Sequence, residues 1–161
     1  QVISTFTFTK TYAMTGWRIG YVHASKEWIA QIKKAHIPLA ICAPVVSQYA
    51  ALEALRGPQD CIDEFHSHYL KTRNLMCSRL DELDHVFTYQ IPKGSYLMFP
   101  KMIRTQDQDS RTFAIDLLQK AHVSTTPGIA FKGEGHVRMS FCVSEEEINK
   151  AFDRMKEYFS S

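Results

Sequence analysis

The stretch Thr7-Phe8-Thr9-Lys10-Thr11-Tyr12-Ala13-Met14-Thr15-Gly16-Trp17-Arg18-Ile19-Gly20 gathers the residues best suited to chemistry. Thr7 and Thr9 precede a lysine that follows a β-type run, and Arg18 stands eight positions after Lys10. Threonine hydroxyls can donate hydrogen bonds, and a guanidinium gives phosphate oxygens a charge-assisted, often bidentate grip. An anionic phosphate could therefore lie between Thr7 and Arg18 while Lys10 reaches an electrophile beside it. A lysine amine near fixed positive charge is easier to deprotonate and can form a Schiff base with an aldehyde. Taken alone, Lys10 reads as a surface lysine and Arg18 as an arginine capping a strand.

The register of these residues resembles the lysine motif of class I and II aminotransferases, the fold-type I pyridoxal-phosphate enzymes. Their pattern is Ser-x-Ser-Lys followed by Thr-x-x-x-x-Gly-x-Arg-x-Gly, and here threonine replaces both serines while keeping the hydroxyl. The resemblance implies that Lys10 holds pyridoxal 5'-phosphate through a Schiff base and that Thr7 and Arg18 bind its phosphate. A second motif supports it. In Pro127-Gly128-x-x-Phe131 … Gly133-x-Gly135-x-Val137-Arg138-x-Ser140-Phe141, an arginine sits between apolar positions of a strand. Such an arginine is costly unless it meets an anion. Read by itself, Arg138 suits an edge-strand salt bridge with Glu134. By resemblance it grips the substrate α-carboxylate, so that the Cα–H bond stands over the cofactor ring and near Lys10.

The elements that must position these residues follow in order. Residues 2–8 read as a strand, with Phe6 and Phe8 on one side and Thr5 and Thr7 on the other. Trp17–Ala24 reads as a second strand, with Trp17, Ile19 and Tyr21 on one face and Arg18 and Gly20 on the other. Ser25 is placed to cap a helix with Trp28, Ile29 and Ile32 inward, ending at Pro38. A further helix spans Val45 to Arg56, between Pro44 and Gly57. One long amphipathic helix is predicted over about residues 58–84, with Ile62, Phe65, Tyr69, Met76, Leu80 and Leu83 at helical spacing. His66 and His68 lie two apart on it, so they do not share a face and read as solvent-facing.

Beyond that helix, strands are expected at Val86–Gln90, Tyr96–Lys101 and Val123–Thr126, with a polar loop over Arg104–Ser110. Asp109 or Ser110 caps a helix to Ala121, with Phe113, Leu117 and Leu118 inward. His136–Cys142 reads as a strand in which Val137, Met139 and Phe141 share one face. Ser144-Glu145-Glu146-Glu147 is a capping box that opens a last helix striped by Ile148, Phe152, Met155 and Phe159.

Composition narrows the class. A net charge of +2 is too small to argue for nucleic acid or a membrane surface, and no apolar run approaches spanning length. The four cysteines, Cys42, Cys61, Cys77 and Cys142, include no Cys-x-x-Cys pair, so a zinc site is not expected. They read as buried or half-buried free thiols in a reducing compartment.

The resemblance implies an α/β fold: the last sheet strands of a partial large domain plus a complete α+β small C-terminal domain. Residues 1–65 would be the C-terminal part of the pyridoxal-phosphate-binding domain and 66–161 the small domain. The chain opens on Gln1 directly in a strand-like run, which suggests a missing N-terminal part. The implied reaction is transamination between an α-amino acid and a 2-oxo acid, by a cytoplasmic homodimer of amino-acid metabolism, with this chain inactive alone. Another reaction of the same fold, such as a C–S lyase or synthase step, or a truncated non-catalytic relic, are the alternatives.

Overall fold

The computed structural model describes residues 2–104 and 108–160. The fold divides into two compact units, residues 1–65 and 66–161, and the division falls inside a helix.

In the first unit, strand β1 (Ser4–Thr7) pairs antiparallel with β2 (Gly20–His23), in a register that sets Phe6 opposite Tyr21 and Thr7 opposite Gly20. The Phe6 and Tyr21 rings stack at 4.8 Å across that pair. Gly20 is required here, because a Cβ at this position would run into the Phe6 carbonyl oxygen. The expected strand over Trp17–Ala24 starts late. Thr15–Trp17 form a single 3-10 turn, and Arg18 takes a left-handed conformation (φ 50°, ψ 49°) before the chain becomes extended. Trp17 and Ile19 therefore do not share a face: Ile19 is buried and Trp17 exposed.

Helix α1 (Lys26–Ala40) carries Pro38 inside it rather than ending before it. Proline lacks only its own N–H, and the helix continues until Ile41, whose N–H reaches the Ile37 carbonyl at 3.0 Å. Ser25 stands at the N-cap with extended dihedrals, yet its hydroxyl makes no cap bond to the backbone. It bonds the Glu27 side chain instead, which holds that carboxyl below its usual range. Ile29 and Ile32 are half-buried, whereas Trp28 is exposed. Helix α2 (Val45–Arg56) runs between Pro44 and Gly57 as its boundary residues indicated. Its Ala51 packs with Phe8, Met14 and Ile19 in a small buried cluster.

Helix α3 (Asp60–Asp81) is slightly shorter at both ends than the sequence suggested. Its stripe is graded. Ile62, Phe65 and Tyr69 are half-buried, and Met76 and Leu80 are fully covered. His66 and His68 are exposed.

The second unit is built on three short antiparallel strands in the order β4 (Leu97–Met98), β7 (Val137–Ser140), β6 (Thr126–Pro127). A separate ribbon joins β3 (Phe87–Thr88) to β5 (Lys101–Met102). Only the end of the expected Val123–Thr126 strand is paired, through Thr126 opposite Arg138 and Pro127 opposite Val137. Of the polar stretch 104–110, residues 105–107 lie outside the described residues.

Helix α4 (Ser110–Asp116) is capped by Asp109, whose carboxylate accepts the N–H groups of Arg111 and Thr112 at 3.0 and 2.9 Å. It continues as a π-helical turn over Leu117–Ala121. That turn leaves Leu117 fully buried and turns Leu118 outward, against the expectation that both face inward. Helix α5 (Glu145–Ser160) is opened by Ser144, whose hydroxyl accepts the Glu147 N–H at 3.2 Å. Its stripe of Ile148, Phe152, Met155 and Phe159 is buried as the spacing indicated. These residues join Met76 and Leu80 of α3, Phe87, Phe113, and Val137 and Met139 of β7 in one core. Cys77 and Cys61 are buried and half-buried, but Cys42 and Cys142 are exposed, contrary to the expectation of thiols sheltered throughout. Among the described residues no helix is long and apolar enough to cross a membrane.

Candidate functional site

The lysine loop is a closed turn fixed by its apolar residues. Phe8, Met14 and Ile19 are buried, and the Phe8 N–H donates to the Ile19 carbonyl at 3.3 Å, joining the two ends. Between them Tyr12 N–H reaches the Phe8 carbonyl and Ala13 N–H the Lys10 carbonyl, so Lys10 rides on two consecutive turns. Ser47 of α2 adds a hydroxyl donated to the Trp17 carbonyl at 2.8 Å. Tyr12 packs its ring toward Phe8 and donates its phenol to Gln59 Oε1 at 3.0 Å. Both contacts hold Tyr12 in the packing of the loop.

Burial of the alternate residues leaves Thr7, Lys10 and Arg18 exposed. The hydroxyls of Thr7 and Thr9 are 2.7 Å apart, and Thr7 Oγ1 also accepts the Thr9 N–H at 3.2 Å. Thr7 Oγ1 lies 3.4 Å from the Ile19 carbonyl, a weak bond. Arg18 donates Nη1 to the Thr15 carbonyl at 3.1 Å. Among the described residues no carboxylate lies within ion-pair distance of Arg18. A hydroxyl pair and a guanidinium without an acidic neighbour are a donor set suited to a phosphate. These donors are of the type that a phosphorylated cofactor requires.

Arg138 stands in the second unit, on β7. Its neighbours Val137 and Met139 point into the core, which sends Arg138 to the opposite face of the strand. The salt bridge with Glu134 does not form, because Glu134 is engaged elsewhere. Its carboxylate accepts the Ser110 N–H at 2.6 Å, the Ser110 hydroxyl at 3.2 Å and the Gly135 N–H at 3.1 Å. Among the described residues no carboxylate pairs with Arg138. Its guanidinium carbon instead lies 4.3 Å from the centroid of the Phe131 ring, and Nη2 is 3.5 Å from Thr126 Oγ1. Both partners escaped the sequence reading. Phe131 was visible as part of a motif, and the pairing of Thr126 with Arg138 follows only from strand register.

The bonds to Glu134 make a pH test. The backbone N–H of Ser110, then that of Gly135, hold this carboxyl below its ordinary value. A lowered folded pKa means that the stabilisation is fully present above the ordinary glutamate value and is lost as pH falls through the folded one. Glu134→Ala should lower the melting temperature at neutral pH, and that deficit should shrink on acidification below the usual carboxylate range. A deficit independent of pH would assign the effect to packing.

Comparison with known proteins gives the family. The profile of aminotransferase class I and II matches residues 1–155. An aspartate aminotransferase of Pyrococcus abyssi is 37% identical over 153 residues, covering 92% of this chain and 39% of that protein. A putative aminotransferase of Bacillus subtilis, YugH, is 34% identical over 94% of this chain and 39% of its own length. The crystal structure of an aromatic aminotransferase from Pyrococcus horikoshii superposes with a TM-score of 0.90 at 34% identity, over 98% of this chain and 43% of that one. The chain thus spans about two fifths of the length of the relatives it matches. With the lysine loop in register and the family profile extending to residue 155, this chain belongs to the aminotransferase class I and II family.

Proposed function

We propose that this chain is the C-terminal portion of a pyridoxal-phosphate enzyme that transfers an amino group between an α-amino acid and a 2-oxo acid. The lysine loop carries the reading: buried Phe8, Met14 and Ile19 leave Thr7, Lys10 and Arg18 exposed on one closed turn. On this reading residues 1–65 are the end of the cofactor-binding domain and 66–161 the small domain. The enzyme works as a homodimer. The relatives reported above are named for amino-group transfer, which favours that reaction over β-elimination or a synthase step.

Bound pyridoxal phosphate supplies an aldehyde and a conjugated ring that takes up the electron pair of the broken Cα–H bond. This chain supplies binding and proton transfer. Thr7 and Arg18 hold the phosphate. Lys10 Nζ would hold the aldehyde and, when free, would move a proton from the substrate Cα to the cofactor carbon. Arg138 holds the substrate carboxylate through two parallel N–H bonds, which a lysine at this position cannot reproduce.

The two arginines should fail differently in the full-length enzyme. Arg138→Lys should raise KM for amino acids and 2-oxo acids by about 10- to 100-fold, since hydrogen bonds to charged groups contribute about 1.5–3 kcal/mol. Its cofactor occupancy should stay close to wild type. Arg18→Ala should lose cofactor first, at substrate concentrations where the wild type stays loaded. Cofactor titration and steady-state kinetics check both. Equal cofactor loss in the two variants would show that Arg138 has been assigned the wrong role.

A further inference from the structure

We propose that Phe131 is a positioning residue for Arg138, acting as the end of a ladder of aromatic rings. The proposal rests on the carboxylate role given to Arg138 above. Phe131 is 46% exposed, so core burial does not account for its placement. Its face lies under the guanidinium of Arg138 at 4.3 Å, within the range of a cation–π contact. Phe99 meets Phe131 edge-on, with centroids 6.3 Å apart and planes at 85°. Phe99 in turn lies flat on His136, at 5.0 Å and 8°. Gly133 leaves the space for that ring, because a Cβ there would come within 2.7 Å of Phe99 Cε1 and Cζ.

A ring differs from a hydrogen-bonding partner in one useful way. It fixes the guanidinium plane by covering a face, and it consumes none of the in-plane N–H donors. A carboxylate partner would spend two donors and cancel the charge. Against Phe131, and with one long contact to Thr126 Oγ1, Arg138 keeps its fork and its charge for an incoming carboxylate.

The test uses the full-length enzyme loaded with pyridoxal phosphate and carrying isotope-labelled arginine. The Arg138 side-chain Nε–H resonance is identified by its loss in Arg138→Lys, and its ring-current shift and Cζ–Nε rotation rate are measured. Pyruvate is then titrated as a small 2-oxo acid. In the wild type the resonance should be shifted upfield and rotation slow. Phe131→Leu should abolish the shift, speed rotation and weaken pyruvate binding by about two- to five-fold, while Phe131→Trp should restore all three. An Arg138 resonance with the same shift and rotation rate in the wild type and Phe131→Leu would overturn the ladder, whatever pyruvate does. A shifted, slowly rotating Arg138 that pyruvate leaves unmoved would overturn the carboxylate role and with it the purpose given to Phe131. Unchanged pyruvate affinity in Phe131→Leu, with pyruvate still moving Arg138, would overturn the positioning role alone.

Discussion

Replacing Lys10 by alanine in the full-length enzyme should end both covalent retention of pyridoxal phosphate and turnover. On the proposed reading the amine has two tasks, and alanine performs neither. Anchoring needs a nucleophilic nitrogen on the closed turn between Phe8 and Ile19, and no other lysine lies in that turn. Proton transfer by a placed side chain is worth about 10²- to 10⁴-fold in rate, so kcat should fall by at least that range. Lys10 is exposed and its neighbours Phe8 and Met14 carry the packing, so the variant should fold normally. Transamination assays beside a melting curve separate the cases. A variant that melts like wild type and still turns over at more than about a tenth of its rate would remove Lys10 from the mechanism.

Phe152→Ala should be among the most damaging changes in the second unit. Phe152 is 1% exposed and sits in the α5 stripe, packed in the core that includes Leu80, Val137 and Met139. Truncating a buried phenylalanine costs about 3–5 kcal/mol, through lost transfer free energy and the cavity left behind. Against a typical total of about 5–15 kcal/mol this is a large share. Because β7 rests on the same core through Val137 and Met139, looser packing should also loosen the strand that carries Arg138. Urea unfolding of the second unit should show a lower midpoint with little change in slope. Leu118→Ala is the control: that side chain is 52% exposed on the π-helical turn, and its loss should shift stability by less than about 0.5 kcal/mol. Comparable losses in the two variants would mean that the core is not where the burial places it.

What the sequence carried well was local. The capping box at Ser144, the stripe of α5 and the Pro44 and Gly57 limits of α2 each depend on nearby residues, and each appears in the structure. Alternation also placed Val137 and Met139 inward and Arg138 away from them. The misses came where local patterns compete. Trp17–Ala24 has the alternation of a strand, but the loop closure at Phe8 and Ile19 makes Arg18 left-handed and delays the strand to Gly20. Pro38 looked like a helix end, yet a proline near a C-terminus removes a single bond and the helix outlasts it. Leu118 fits a 3.6-residue repeat that the π-helical turn interrupts.

The candidate site divides in the same way. Lys10, Thr7, Arg18 and Arg138 were singled out by motif register. The ring beneath Arg138 was not, because it depends on how the turn after β6 folds back beside β7. Glu134 shows the converse: an acidic and a basic residue at a suggestive spacing do not pair when the acid accepts the N–H of Ser110 at a helix start and that of its own neighbour Gly135.

The most direct measurement is borohydride reduction of the pyridoxal-phosphate-loaded enzyme, followed by digestion and mass spectrometry of its peptides. The expected result is a reduced phosphopyridoxyl group on Lys10, in the peptide that contains Thr7 and Thr9. The same modification on Lys26, Lys33 or Lys34, or a loaded enzyme with no trapped label at Lys10, would contradict the assignment of this loop as the cofactor anchor.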